Sequence, residues 1–377
     1  ILHVTPYERL PEQATRILAI FHRLRTHGAL ARDRVVVLPA RMAGDDDVLA
    51  VHPADYVRRV DALDGRGDGI AAMEGGRMHL DGALARRLHV EPGALAAYVH
   101  HLEKELDIFD WTITADNDTY AGPHTPAAAR LAAGGVLAAI DALLASPTPP
   151  VSAFTILRPP GHHCYTARGG GFCFFNSVAI AASYARRRHG VRRIAIVDWD
   201  VHHGNGTQEV VQGGALGAGD TLFLSLHRFD GGSFYPGSSG AVDSGGDAPN
   251  IVNIAWPGPG MGDAEYTAAF AKLVVPVVAE FAPELILVSS GFDAALGDPL
   301  GGLEVTPIGY YRMTRMLAAL DPPAGLVVAL EGGYNLNSIA ACAEAVTAAL
   351  HDAAATSRRR SWTWTSRAAG PAASPPF

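Results

Sequence analysis

The sequence predicts an α/β protein with a mainly parallel sheet covered by helices on both faces, and three observations carry that expectation. Short β-branched runs recur at Thr155–Leu157, Ile194–Val197, Leu222–Leu226, Leu285–Val288 and Leu326–Leu330. Each closes on polar or charged residues, as buried parallel strands do. Helical patterns lie between and before them. Thr125–Leu144 is rich in alanine with Pro126 near its start, Ser177–His189 ends in a basic turn, and Ala264–Phe281 stops before Pro283. Strand, helix and strand in succession call for right-handed crossovers, and so for a parallel sheet with helices on either side. Ligands of such sheets bind beyond the carboxyl ends of the strands. Nearly every unusual polar cluster here follows one of the strand-like runs.

Composition narrows the class. The chain has 377 residues, 48% apolar and 18% charged, which suits one large buried core and excludes general disorder. A net charge of −8 argues against direct nucleic-acid binding, and an acidic surface suits a cationic partner such as a lysine-rich tail. Cys164, Cys173 and Cys342 are too few and too scattered for a disulfide framework, so a reducing intracellular compartment is expected. No stretch is expected to span a membrane, and the N-terminus shows no signal-peptide pattern. The start at Ile1 is compatible with a domain excised from a longer protein. Gly65–Gly76 reads as a surface loop. Residues 356–377 read as a basic, low-complexity tail whose Arg358–Arg360 run is either a nuclear signal or merely solvated.

The chemistry concentrates after four of the runs. Ile194–Val197 leads into Asp198-Trp199-Asp200-Val201-His202-His203-Gly204-Asn205. In extended backbone alternate residues share a face, so Asp198, Asp200 and His202 can point together. Such a group is either a half-site for a metal such as zinc or a salt-bridged loop. Leu285–Val288 leads to Asp293, a third ligand or a helix cap. Thr155–Leu157 leads to His162-His163, suited to acid–base work near neutral pH if Asp198 and Asn205 orient them. Leu326–Leu330 leads to Glu331-Gly332-Gly333-Tyr334, whose phenol can donate to a developing oxyanion.

Seven motifs in order make the sequence recognisable. They are RPPGHH (158–163), GFCFFNSVAIAA (171–182), DWDVHHGNGTQ (198–208), SLHR (225–228), MGDAEY (261–266), SSGFDAALGDPLGG (289–302) and EGGYN (331–335). Over roughly residues 8–350 the chain resembles the arginase-fold, zinc-dependent histone deacetylases, most closely class II. The resemblance implies a single domain over residues 1–355 with a sheet of about eight strands. It also implies an amidohydrolase that releases acetate from N6-acetyl-lysine of histone or other proteins.

Residue by residue, the resemblance makes Asp200, His202 and Asp293 the ligands of one catalytic zinc. It makes His163 the proton shuttle, His162 its electrostatic partner, and Tyr334 the residue that polarises the acetyl carbonyl. Asp198 matches the carboxylate beside His162, and Asn205 stands where class I enzymes place an aspartate. Asp118 matches a rim aspartate that holds the substrate backbone, while Gly171 and Phe172 belong to the substrate tunnel. Structural potassium is implied near Asp198, Asp200, His202, Ser225 and Leu226.

Partners would be acetylated lysine side chains and a multiprotein co-repressor complex, with a role in chromatin and transcription regulation. The compartment implied is the nucleus, the cytoplasm or both, with no membrane. Two positions depart from the family pattern. Tyr235 stands at the second tunnel-wall position, usually phenylalanine, and Cys164 stands where alanine is common, leaving either a redox pair with Cys173 or two unconnected thiols. Three other readings stay open, an arginase-type ureohydrolase, an acetylpolyamine deacetylase and a non-catalytic acetyl-lysine-binding scaffold. Leu300 occupies the position at which polyamine enzymes carry a glutamate, which favours the peptide substrate.

Overall fold

The computed structural model describes residues 11–33, 35–64, 119, 121, 124–145, 152–217, 219–242 and 249–356. Among them, six strands form one parallel sheet: β1 (Ser152–Thr155), β2 (Ile194–Asp198), β3 (Thr221–Arg228), β4 (Ile251–Trp256), β5 (Leu285–Ser290) and β6 (Gly325–Leu330). Their order is β1-β6-β5-β2-β3-β4, every pair parallel. The class is the one expected, but the strand count is six rather than about eight. Side chains of β2, β5 and β6 are buried on both faces, which explains their unbroken apolar runs. Edge strands β1 and β4 are mostly half-buried. The polar Asn253 inside β4 hides that strand from a search for apolar runs.

β1 lies earlier than Thr155–Leu157. Its ladder with β6 ends at Thr155 opposite Ala329, and Pro159 and Pro160 follow too closely to donate further bonds. The helices at Thr125–Leu144 and Ser177–His189 fall where expected. The third begins at Asp263 and has a π turn, Phe270–Val274, just before Pro276, which cannot supply a backbone donor. Helices Thr15–Thr26, Pro307–Ala318 and Leu336–Thr356 were not anticipated.

Thr125–Leu144 corrects a further expectation, because by length and composition alone it could cross a membrane. It is instead largely buried, packs on Ser177–His189 and β1, and carries Arg130 paired with Asp61 at 2.7 Å. Leu336–Thr356 packs between Thr15–Thr26 and Pro307–Ala318.

The chain runs outward through β2, β3 and β4, then returns through β5 and β6. Right-handed crossovers therefore send the loop after β2 and the loop after β5 toward opposite faces. These strands are neighbours, with Asp198 level with Ser289. Their diverging loops open a crevice at the carboxyl edge, the usual binding position in such sheets.

Candidate active site

The loops on either side of that crevice carry Asp200, His202 and Asp293, all buried, with one ligand atom of each within 4.8 Å of the others. Asp200 is held by two donors, the His202 amide at 2.9 Å to Oδ1 and the Gly332 amide at 2.9 Å to Oδ2. Asp293 Oδ1 accepts from the Val201 amide at 2.8 Å, which ties the β5 loop to the β2 loop. His202 Nδ1 stands 3.0 Å from Asp200 Oδ1 and 3.2 Å from Asp293 Oδ2. One imidazole nitrogen has one hydrogen for two carboxylate oxygens, and Asp293 Oδ2 is left buried without a well-aligned donor. Burial and the Asp200 charge push the Asp293 carboxyl up to about 7.

A divalent cation answers all of this. Two carboxylates and an imidazole are a fitting donor set for zinc, and tetrahedral ligand atoms about 2.0–2.1 Å from the ion stand roughly 3.3 Å apart. Gly332 makes the crowding possible, since a Cβ there would lie 2.1 Å from Asp293 Oδ2. The group can therefore hold a metal with the residues as they stand.

The tandem histidines lie beside it with unlike partners. His162 Nδ1 faces Asp198 Oδ2 at 2.9 Å, and its Nε2 is 3.7 Å from Asp200 Oδ1. Burial opposes charging this imidazole, but the Asp200 and Asp198 charges outweigh burial and hold its pKa well above the ordinary value. His163 Nδ1 faces the neutral Asn205 Oδ1 at 2.6 Å. Burial, with positive charge on His162, holds His163 well below the ordinary value. The rings are 4.0 Å apart between centroids, so a charged His162 and a neutral His163 reinforce each other. Asn205 Nδ2 in turn donates to the Tyr165 hydroxyl, which keeps Oδ1 turned toward His163 and leaves the Nδ1 hydrogen on the histidine.

Tyr334 reaches the site from the turn after β6. Its amide donates to Asp298 Oδ2 at 2.6 Å, its ring packs edge-on against Phe172 at 5.9 Å, and the Arg16 guanidinium lies 5.0 Å from the ring centroid. Burial and the Asp293 charge hold the phenol well above its ordinary pKa, so it stays a donor. Gly171 has φ +51°, and a Cβ there would lie 2.2 Å from the His163 ring. Phe172 shares this left-handed region at φ +68°, fixed by its amide donating to Thr119 Oγ1 at 2.9 Å. Tyr235 packs edge-on to His163 at 5.1 Å and to His202 at 5.8 Å. Leu300 is 38% exposed on the loop after β5, with its amide on Asp298 Oδ1 at 2.9 Å.

Ser225 is level with Asp198 across the β2–β3 ladder and lies 2.8 Å from His227 Nδ1, next to Leu226. Asp118, Gly65–Gly76 and the tail beyond Thr356 lie outside the described residues. Cys164 and Cys173 are buried free thiols, and burial pushes Cys164 up to about 12.

Sequence reasoning missed Glu12, Arg16, Tyr165 and Asp298, and gave Glu331 no role. Glu331 carried a signal, because an acid at the end of a strand buried on both faces needs a partner. Arg16 carried none, because the Glu331 and Gly333 carbonyls to which it donates are more than 300 residues away.

A parallel α/β sheet with a buried Asp–His–Asp group and paired histidines at its switch point has the architecture of a metallohydrolase. The chain belongs to the histone deacetylase family, whose pattern, described as Histone deacetylase domain, matches residues 10–350. It is similar to Histone deacetylase 15 of Arabidopsis thaliana, 45% identical over 65% of this chain and 44% of that protein. It is 35% identical to Histone deacetylase HDA1 of Candida albicans over 90% of this chain and 37% of that one. Polyamine deacetylase HDAC10 of Homo sapiens is 37% identical over 87% of this chain and 43% of its own length. The chain thus spans less than half the length of these curated relatives. Among solved structures it is similar to the crystal structure of the HDA15 HD domain, with a TM-score of 0.74 and 35% identity over 93% of this chain and 87% of that one.

Proposed function

We propose that the chain is a zinc-dependent deacetylase that hydrolyses N6-acetyl-lysine in proteins to lysine and acetate. The observation that carries this reading is the buried Asp200–His202–Asp293 group beside two histidines, one facing the Asp198 carboxylate and the other the neutral Asn205 amide. Asp200, His202 and Asp293 would hold one Zn²⁺, which when bound supplies Lewis acidity toward a carbonyl oxygen and acidifies water from pKa 15.7 to about 7.

The chain's own residues do the rest. Phe172 and Tyr235 flank the methylene stem of the substrate lysine. Neutral His163, with its Nδ1 hydrogen committed to Asn205, offers Nε2 to take a proton from the attacking water. The Tyr334 hydroxyl donates to the developing oxyanion. The charge on His162, anchored by Asp198, favours that anion, and a histidine returns a proton to the leaving amine. Ser225, Leu226 and the Asp198–His202 loop would hold potassium, and Asp118 would hold the substrate backbone. Acetylated lysine side chains would be the partners, in a nuclear or cytoplasmic setting that includes co-repressor complexes.

Similarity to a polyamine deacetylase supports a second reading, N-acetylpolyamine hydrolysis. The apolar Leu300 at the rim favours the first. Metal analysis combined with turnover of acetyl-lysine peptides and N-acetylpolyamines is the deciding experiment. Stoichiometric zinc with faster turnover of peptides is expected. A preference for N-acetylspermidine over every peptide installs the second reading, and a metal-free or inactive protein defeats both.

A further inference from the structure

We propose that Glu331 is a positioning residue whose carboxylate holds the loop of His162 and His163 in register with the turn of Tyr334. Glu331 is buried at the end of β6, and a single oxygen, Oε2, accepts from the Gly161 amide at 2.6 Å and the His162 amide at 3.1 Å. Those amides belong to the loop that follows β1, while Tyr334 lies three residues beyond Glu331. β1 and β6 are neighbours, so one side chain spans the gap between two adjacent loops.

Both ends of this tie are anchored. Gly161 packs so closely that a Cβ there would lie 2.7 Å from the Ser177 amide. The Glu331 amide donates to the Ser290 carbonyl at 3.0 Å, and Arg16 donates to the carbonyls of Glu331 and Gly333. Behind it runs a second tie between the same loops. Glu12 Oε1 accepts from Arg16 Nη1 at 3.0 Å and from Arg158 Nε at 2.7 Å, and Arg158 opens the histidine loop. Through Gly332, whose amide holds Asp200, the turn that carries Glu331 also reaches the candidate metal group. Glu331 touches no substrate. It fixes where His163 stands relative to Tyr334, a spacing that matters because a misplacement of about 1 Å costs on the order of 10²-fold in rate.

The inference rests on the deacetylase reading, and its test separates the two. Glu331→Ala should lower kcat by roughly 10–10²-fold, with KM and zinc content little changed. Hydrogen exchange at the Gly161 and His162 amides should speed up. Glu331→Gln keeps an acceptor oxygen at the same reach and should restore most of the lost kcat and the amide protection. If Glu331→Ala fails to fold, Glu331→Asp replaces it, since its carboxylate is withdrawn by one methylene and should lose kcat in a folded protein. Wild-type kcat and amide protection in the Ala or Asp variant overturn the inference. So does a Gln variant that keeps the amide protection yet turns over as slowly as the Ala variant, because charge rather than position would then be acting. A wild-type chain that hydrolyses no acyl-amine defeats the deacetylase reading alone, and the exchange measurement still decides the role of Glu331.

Discussion

His163 Nδ1 lies 2.6 Å from the side-chain oxygen of Asn205, a neutral acceptor, whereas the adjacent His162 faces a carboxylate. This asymmetry, with burial, moves the two imidazoles in opposite directions, His162 toward the charged form and His163 toward the neutral one. A general base must be neutral, and His163 is held below the ordinary histidine value, so it remains a base as pH falls through the range in which a free histidine would charge.

The first prediction concerns pH. The acidic limb of kcat/KM should lie below about pH 6.5, the unperturbed histidine value. Asn205→Asp places a negative charge beside His163 Nδ1, favours the imidazolium and should move that limb upward by about 1 unit or more. A limb that stays put in this variant assigns the base to another group.

Metal removal gives the second. Asp200→Ala should abolish turnover and strongly reduce zinc measured by atomic emission. Chelation of the wild type should lower its Tm, because Asp293 Oδ2 then returns to a buried state without an aligned donor. A fully metallated Asp200→Ala protein would show that the ligands lie elsewhere.

Tyr334→Phe tests the oxyanion donor. The ring keeps its contacts with Phe172 and Arg16, so the fold, the zinc content and KM should hold. Loss of the hydroxyl should cut kcat by roughly 10²-fold or more. Near-normal turnover on acetyl-lysine peptides would remove Tyr334 from the chemistry.

Leu300→Glu tests substrate choice at the rim. A carboxylate there would attract a second substrate amine by a few kcal/mol at most, on the order set by the effective dielectric near a protein surface. kcat/KM should rise for N-acetylspermidine and fall for acetyl-lysine peptides, with the gain fading as salt increases. Unchanged selectivity would show that Leu300 does not face the substrate.

Alternation from the end of β2 was enough to expect Asp198, Asp200 and His202 to act together, and order along the chain was enough to place Asp293, His162 and Tyr334 after strand ends. Both follow from local rules, the period of extended backbone and the cost of burying charge. Other features depended on which strands became neighbours. Asp293 reaches the Val201 amide only because β5 pairs with β2, and Glu331 reaches Gly161 only because β6 pairs with β1. The opposite pKa shifts of the histidines likewise follow from burial and from charges brought together by the fold. Motifs and their chemistry are thus determined by the sequence itself, because each residue carries its own donors, acceptors and apolar surface. Tertiary structure decided the partners of those groups, since contacts between distant segments are set by the packing of the whole sheet.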